Sequence, residues 1–372
     1  MAGAGRPARE ARKNMLIDMK ELREKKEILA KEAAKGASVL SLILKGSARY
    51  ESGDYEQAEE LFRKAAEAGC AEAALLLGRL LYLDQREVYE GCECLKWLTQ
   101  AEAAGYVEAR RLLVDLYCEL ECPEEAERWY FTGPEPMDAE ALNQIGACYL
   151  SVLLSPFEKH LTSFDPYFTY DPDEDTLSLE GTRMYLRRAY EFFSLAAARG
   201  CHEAELNLGK VLSHLFFPGR DLDKAVAHYL KAARHGYREG LLLAARLEED
   251  RGELESAEKH YLKAIEDGST DAMLELARFL EEQEGGARQR EAIGWLKRAA
   301  SYGDCYALYK LGLRLIEGRG VARDVSKGVR CVVEAEAKSF WSLVERDELE
   351  AAAADLDPEE AWPLRRFLAS RT

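Results

Sequence analysis

One phrase recurs along this 372-residue chain, and it restricts the fold more than any other feature. FRKAAEAG, ending at Gly69, returns as FSLAAARG at Gly200, YLKAARHG at Gly236, YLKAIEDG at Gly268 and WLKRAASYG at Gly303. A weaker copy, LTQAEAAG, ends at Gly105. The glycines at 69 and 105, and at 200 and 236, stand 36 residues apart; the next intervals are 32 and 35. Periods in this range mark arrays of supersecondary units stacked side by side. A second signature, G-x-x-E/D-A, follows most copies: Gly69 leads to Glu72-Ala73, Gly105 to Glu108-Ala109, Gly200 to Glu203-Ala204 and Gly268 to Asp271-Ala272. Gly236 leads to Glu239-Gly240, and Gly303 keeps the alanine (Ala307) without the acid.

Each part of the pattern has a physical purpose. A glycine after a helix takes positive φ and satisfies the last carbonyls. An acid in the first turn of the next helix meets the positive end of its dipole. Five residues past the signature alanine stands a small residue (Gly78, Gly146, Gly209, Ala245, Ala277, Gly312), with Val114 as the exception. Glycine inside a helix costs ~1 kcal/mol relative to alanine, so its return points to close helix packing. Each unit reads as a helix pair, with A-x₃-L-G on the first helix and K-A-x₂-Y/W-x-K-A-A on the second. About eight pairs are expected, over 37–69, 70–105, 106–133, 137–200, 201–236, 237–268, 269–303 and 304–342. The array as a whole is assigned to 37–343. Residues 1–36 read as a charged N-terminal helix or arm. Residues 344–372 read as a C-terminal cap, opened by Asp357-Pro358 and faced by Trp362, Leu364 and Phe367, because an end repeat needs its open face covered.

Composition removes several classes. The chain has 51 basic and 68 acidic side chains, a net charge of −17, and is 47% hydrophobic. It is too apolar for a disordered chain, and no stretch approaches the ~20 uncharged apolar residues of a membrane span. A charge of −17 argues against nucleic acid, whose phosphates need a basic surface. Nine scattered cysteines, without paired C-x-x-C motifs, suit free thiols in a reducing cytoplasm. No apolar h-region follows the basic N-terminus, so a secretory signal is not expected. The six histidines form no H-E-x-x-H zinc motif, and no phosphate-cradling glycine loop or nucleophile elbow occurs. A non-enzymatic protein with no cofactor and no metal is expected.

Ala307-Leu-Tyr-Lys-Leu311-Gly312, followed by Glu317-Gly318-Arg-Gly320-Val321-Ala-Arg-Asp324 and Lys327-Gly328, resembles the Sel-one-like repeat family, a relative of the tetratricopeptide repeats. The turns Gly53-Asp54-Tyr55 and Arg251-Gly252-Glu253 are shorter and more like tetratricopeptide repeats. The resemblance covers roughly 37–335. It implies an all-α, right-handed superhelix (a solenoid) with a concave face lined by first helices. It also implies scaffold or adaptor work through protein–protein interaction. A regulatory or chaperone-like subunit of one enzyme complex is the alternative.

Two places point to a partner. The segment 155–181 interrupts the fourth pair and carries Phe164, Tyr167, Phe168 and Tyr170 among acids, a composition suited either to docking or to folding back on neighbouring helices. Columns on the first helices are the second place. Six residues past the signature alanine lie Arg79, Lys210, Arg246 and Arg278, along with Asp115, Ala147 and Leu313; three past it lie Asn207, Leu243, Glu275 and Lys310, among others. The basic column points to a protein or peptide partner that offers carboxylates. The competing reading pairs these cations with acids such as Glu249 or Glu281 on their own helices.

Overall fold

In a computed structural model of the chain, residues 36–84, 92–133, 138–158, 179–283, 288–339, 349–350, 353–354 and 356–369 are described. Most of the N-terminal arm and the four aromatics Phe164, Tyr167, Phe168 and Tyr170 lie outside them. The described residues form helices joined by turns, with no strand among them. Two compact units are present: Met1–Ala204 with Leu215–Pro218, and Glu205–His214 with Gly219–Thr372.

The first unit contains α1 (Gly36–Glu51), α2 (Tyr55–Glu67), α3 (Ala71–Asp84), α4 (Glu93–Ala103), α5 (Val107–Glu119), α6 (Pro123–Phe131), α7 (Ala139–Glu158) and α8 (Leu179–Ala198). Helix α9 (His202–Ser213) begins in the first unit and runs into the second. The second continues with α10 (Leu222–Arg234), α11 (Glu239–Asp250), α12 (Leu254–Glu266), α13 (Asp271–Glu282), α14 (Gln289–Ser301), α15 (Cys305–Glu317), α16 (Val325–Lys338) and α17 (Pro358–Ala369). Within each unit a helix packs on the next in sequence, as α1 on α2 and α2 on α3, or α11 on α12 and α12 on α13. Among the described residues the helices form eight pairs, and the fold is an all-α solenoid.

The small position is a notch, and the second helix fills it. A Cβ at Gly146 would stand 2.7 Å from the Phe193 ring, and one at Gly209 would fall inside contact distance of the Tyr229 ring. Phe193 is fully buried and Tyr229 is 4% exposed. Gly240, the one glycine at the signature alanine, is explained by the same tyrosine: a Cβ there would meet the Tyr229 carbonyl. Burying such a ring is worth ~1.5–3 kcal/mol, which exceeds the ~1 kcal/mol that a helical glycine costs. In the last pair the aromatic is missing, and Gly312 and Gly328 face each other backbone to backbone instead.

Turns behave as their residues require. Gly236, at φ +96°, ends its helix in a conformation that side chains rarely adopt. Asp221 and Asp324 cap α10 and α16 by accepting from Lys224 N and Lys327 N at 3.1 and 2.9 Å. Asp304 explains the missing acid of the last signature: it sits earlier and caps α15, accepting from Ala307 N at 2.8 Å. One turn departs. Between α5 and α6, Glu121 takes φ +56° where the similar turns at Gly53 and Gly252 use glycine. At the C-terminus, α17 packs on α16 through Ala361, Leu364 and Leu368. Phe367 is only partly buried, and Trp362, expected on the same face, is 59% exposed.

The notch predicts opposite signs for two glycine substitutions. Gly209→Val should lower stability by ~1–3 kcal/mol through overpacking. Gly294→Ala on α14, with nothing within 4 Å, should raise it by up to ~1 kcal/mol through helix propensity. Thermal melts followed by circular dichroism decide; equal shifts for both would remove the notch argument.

Candidate protein-binding face

The four basic column residues stand on first helices, and each one is paired. Arg79 on α3 donates from Nη1 to Glu108 of α5 at 2.7 Å, with its side chain 13% exposed. Lys210 on α9 lies 3.3 Å from Glu239 of α11. Arg246 on α11 donates to Glu275 of α13 at 2.6 Å. Arg278 on α13 reaches back to Glu249 of α11 at 2.8 and 3.0 Å, and also meets Glu275 and Glu282 on its own helix. The links therefore run mainly between neighbouring first helices. Two acceptors, Glu108 and Glu239, are the signature acids, so that residue has a second task beyond the helix dipole.

Sequence reading missed one member of this set. Arg314 on α15 makes a two-pronged contact with Glu281 of α13, 2.6 Å at each prong, and a further contact with Glu317 at 3.1 Å. It stands one position beyond the column, where Leu313 turns inward and is fully buried. A basic residue beside an apolar column member was the available signal. In the first unit, Arg111 bridges Asp115 at 3.0 Å, Gln144 at 2.8 Å and Asp138.

A groove of about 810 Å³ opens along α11, α13 and α15 in the second unit. Both sequence columns contribute to it: Leu243, Glu275 and Lys310 from one, Arg246 and Arg278 from the other. Leu274, Tyr306 and Arg314 complete much of the lining. Leu243 and Leu274 are half-buried, and Tyr306 is 45% exposed. Lys210 reaches the lining only through Glu239, Asn207 is half-buried on α9 outside it, and Arg79 lies in the other unit.

Other polar groups are structural. Glu205, 2% exposed, accepts from Lys231 and meets His228 Nδ1 at 2.6 Å. Glu248, 5% exposed, meets His260 Nδ1 at 2.7 Å. His228 and His260 occupy the same position of successive repeats, directly before a buried tyrosine. His235, seven residues beyond His228, closes α10 as its C-cap and faces a different task. In the first unit a cavity of about 350 Å³ is lined by Asp115, Cys118, Gln144 and Cys148. The hydrogen bond with the Cys148 thiol and burial hold Cys118 well above the ordinary thiol range, the wrong direction for a nucleophile. Among the described residues no group of three histidine, cysteine or carboxylate side chains is placed to hold a metal.

Two measurements follow. Burial alone would raise the Glu205 carboxyl, but Lys231 and His228 outweigh it and hold it below its ordinary 4.5. A lowered carboxyl contributes stability above that value and loses it as pH falls through the folded one. The gap in melting temperature between the parent and Glu205→Gln should therefore shrink on acidifying below pH 4.5; a constant gap would contradict the assignment. Arg314→Met, which leaves Glu281 and Glu317 without that cation, should cost ~1–3 kcal/mol in denaturant melts, and less in high salt. No loss would show the link to be idle.

The Sel1 repeat model matches residues 40–70, 186–201, 202–237, 270–304 and 305–333. The turn at Gly53, shorter than the family loop, thus lies inside a match, whereas the one at Gly252 falls between two. None of the curated proteins matches the chain in sequence. A Sel1 repeat protein from Oxalobacter formigenes is 22% identical in its crystal structure, with a TM-score of 0.51 and 91% of each chain covered. A protective antigen of uropathogenic Escherichia coli strains, displaying an SLR fold, is 21% identical over 92% of this chain and 82% of that one, with a TM-score of 0.36. The chain therefore carries Sel1 repeats in both units, and the first of these crystal structures shares its fold.

Proposed function

We propose that the chain is a non-enzymatic scaffold or adaptor that holds another protein through the α11–α13–α15 groove. The observation that carries this reading is the groove itself: three successive first helices present half-buried Leu243 and Leu274 and exposed Tyr306 beside charged side chains, the mixture that protein interfaces use. No helix among the described residues is long and apolar enough to cross a membrane. All nine cysteines are free thiols, which supports placing the protein in the reducing cytoplasm. An acidic partner enters this reading by exchange. Its carboxylate would have to displace Glu249 or Glu275 from Arg278, because the column cations are already engaged.

Leu243→Asp with Leu274→Asp tests the face, and Tyr306→Ala tests it with less risk to packing. Proteins that the parent chain captures from native lysate should be lost from both variants, with the helical spectrum unchanged. Retention of the same set by folded variants would place binding elsewhere.

A further inference from the structure

Thiols meet at two places among the described residues of the first unit. Cys92 and Cys94 stand with their sulfurs 3.0 Å apart at the start of α4, both buried. A bond between them would tie two residues of one helix start and join nothing else. The other pair crosses a repeat boundary. Cys118 lies at the end of α5, and Cys148 lies thirty residues on, in α7. These two first helices pack on each other. The Cys148 thiol points at the Cys118 carbonyl oxygen at 3.6 Å, and the Cys118 thiol is hydrogen-bonded with Cys148 in turn.

The pair borders open space. Cys118 is half-buried, and Cys148, though 3% exposed, forms part of the wall of the same cavity of about 350 Å³. That is far more than the ~30 Å³ share of one water in the liquid, so a small oxidant fits beside the sulfurs. The boundary also lacks its column cation. Asp115 and Ala147 stand where Arg79, Lys210, Arg246 and Arg278 stand elsewhere. Arg111 spans it instead, and the thiols lie about two turns further along α5. The two sulfurs are not equivalent. Cys148 and burial hold the Cys118 thiol well above its ordinary range, so Cys118 keeps its proton. A thiol held in this way is a poor first nucleophile, which leaves Cys148 to meet the oxidant.

We propose that Cys118 and Cys148 form a reversible disulfide that staples α5 to α7 when hydrogen peroxide enters this cavity. The Cys148 sulfur attacks one peroxide oxygen, the O–O bond breaks, and the departing hydroxide takes the thiol proton as water. Cys148 is then a sulfenic acid. The Cys118 sulfur attacks the Cys148 sulfur, the S–O bond breaks, and the hydroxyl leaves as a second water with the Cys118 proton. Two thiols lose two electrons and two protons, and one peroxide becomes two waters. Two molecules of a small monothiol reverse the bond by exchange and become a disulfide themselves. The staple fixes the register of α5 on α7 and the width of the cavity between them. It is independent of the groove in the second unit.

Peptide mapping of the full chain tests this. The chain is treated with a small excess of hydrogen peroxide, its remaining thiols are blocked with N-ethylmaleimide, and it is digested. Fragmentation should place a reducible cross-link between Cys118 and Cys148 before any other pair, with Cys122 alkylated. The oxidised chain should melt roughly 5 °C higher or more, and excess monothiol should restore the lower value. In Cys118→Ser, dimedone should label Cys148; in Cys148→Ser, it should leave Cys118 unlabelled. Thiols that stay reduced, a first link through Cys122 or between Cys92 and Cys94, a link that leaves melting unchanged, or dimedone on Cys118 overturns the proposal. The mapping and melting of the parent chain need no variant, so a serine variant that misfolds does not blunt the test.

Discussion

The packing of the helix pairs rests on a notch in the first helix that the second helix fills, with a ring at Gly146 and Gly209, Leu98 at Gly78 and backbone at Gly312. Phe193 over Gly146 and Tyr229 over Gly209 show it most clearly. The contact brings two helices closer than ordinary side chains allow, and that proximity in turn decides where the first helix points its remaining positions. Positions beside the notch are committed to the pair. Those three and six residues past the signature alanine are left to face the neighbouring repeats and the groove. A repeat that lost its notch would therefore tilt the very residues that line the groove, so packing and the shape of the groove are coupled through helix spacing.

A second layer of contacts joins one first helix to the next. Arg79 to Glu108, Arg246 to Glu275, Arg278 to Glu249 and Arg314 to Glu281 all cross that boundary. Exposed pairs of this kind contribute ~0–1 kcal/mol each, too little to hold repeats together against the buried rings. Arg314 and Glu281, with side chains 15% and 17% exposed, form the better-shielded exception. The ladder's main effect is on register. A guanidinium fork accepts a carboxylate in few geometries, so it favours one sliding position of neighbouring helices over others that bury the same apolar area.

Fold was legible in the sequence because its determinants are local. A glycine, an acid and a small residue at fixed offsets announce the turn, the helix start and the notch, and each was found in its expected role. The departures have equally local causes. The missing acid at Tyr306 is replaced by a cap at Asp304, and Trp362 turns outward because Ala361, Leu364 and Leu368 already cover the end of the array. The face was half legible. The columns correctly grouped Leu243, Arg246, Glu275, Arg278 and Lys310, since equivalent positions of stacked helices must adjoin. Pairing was less so: each cation has a partner about thirty residues away on another helix, and choosing it requires the inter-repeat register. Arg314 escaped for the same reason, being offset by one position from a column defined by counting alone.

Charge counting illustrates the difference between composition and chemistry. A row of arginines in an acidic protein suggests an appetite for carboxylates, yet what a surface can bind depends on which donors and acceptors remain once it has satisfied itself. Arg278 illustrates the point, with five side-chain hydrogen bonds to Glu249, Glu275 and Glu282 already engaging its planar fork. A partner carboxylate must first break such a bond, and the exchange gains only the difference between two similar interactions.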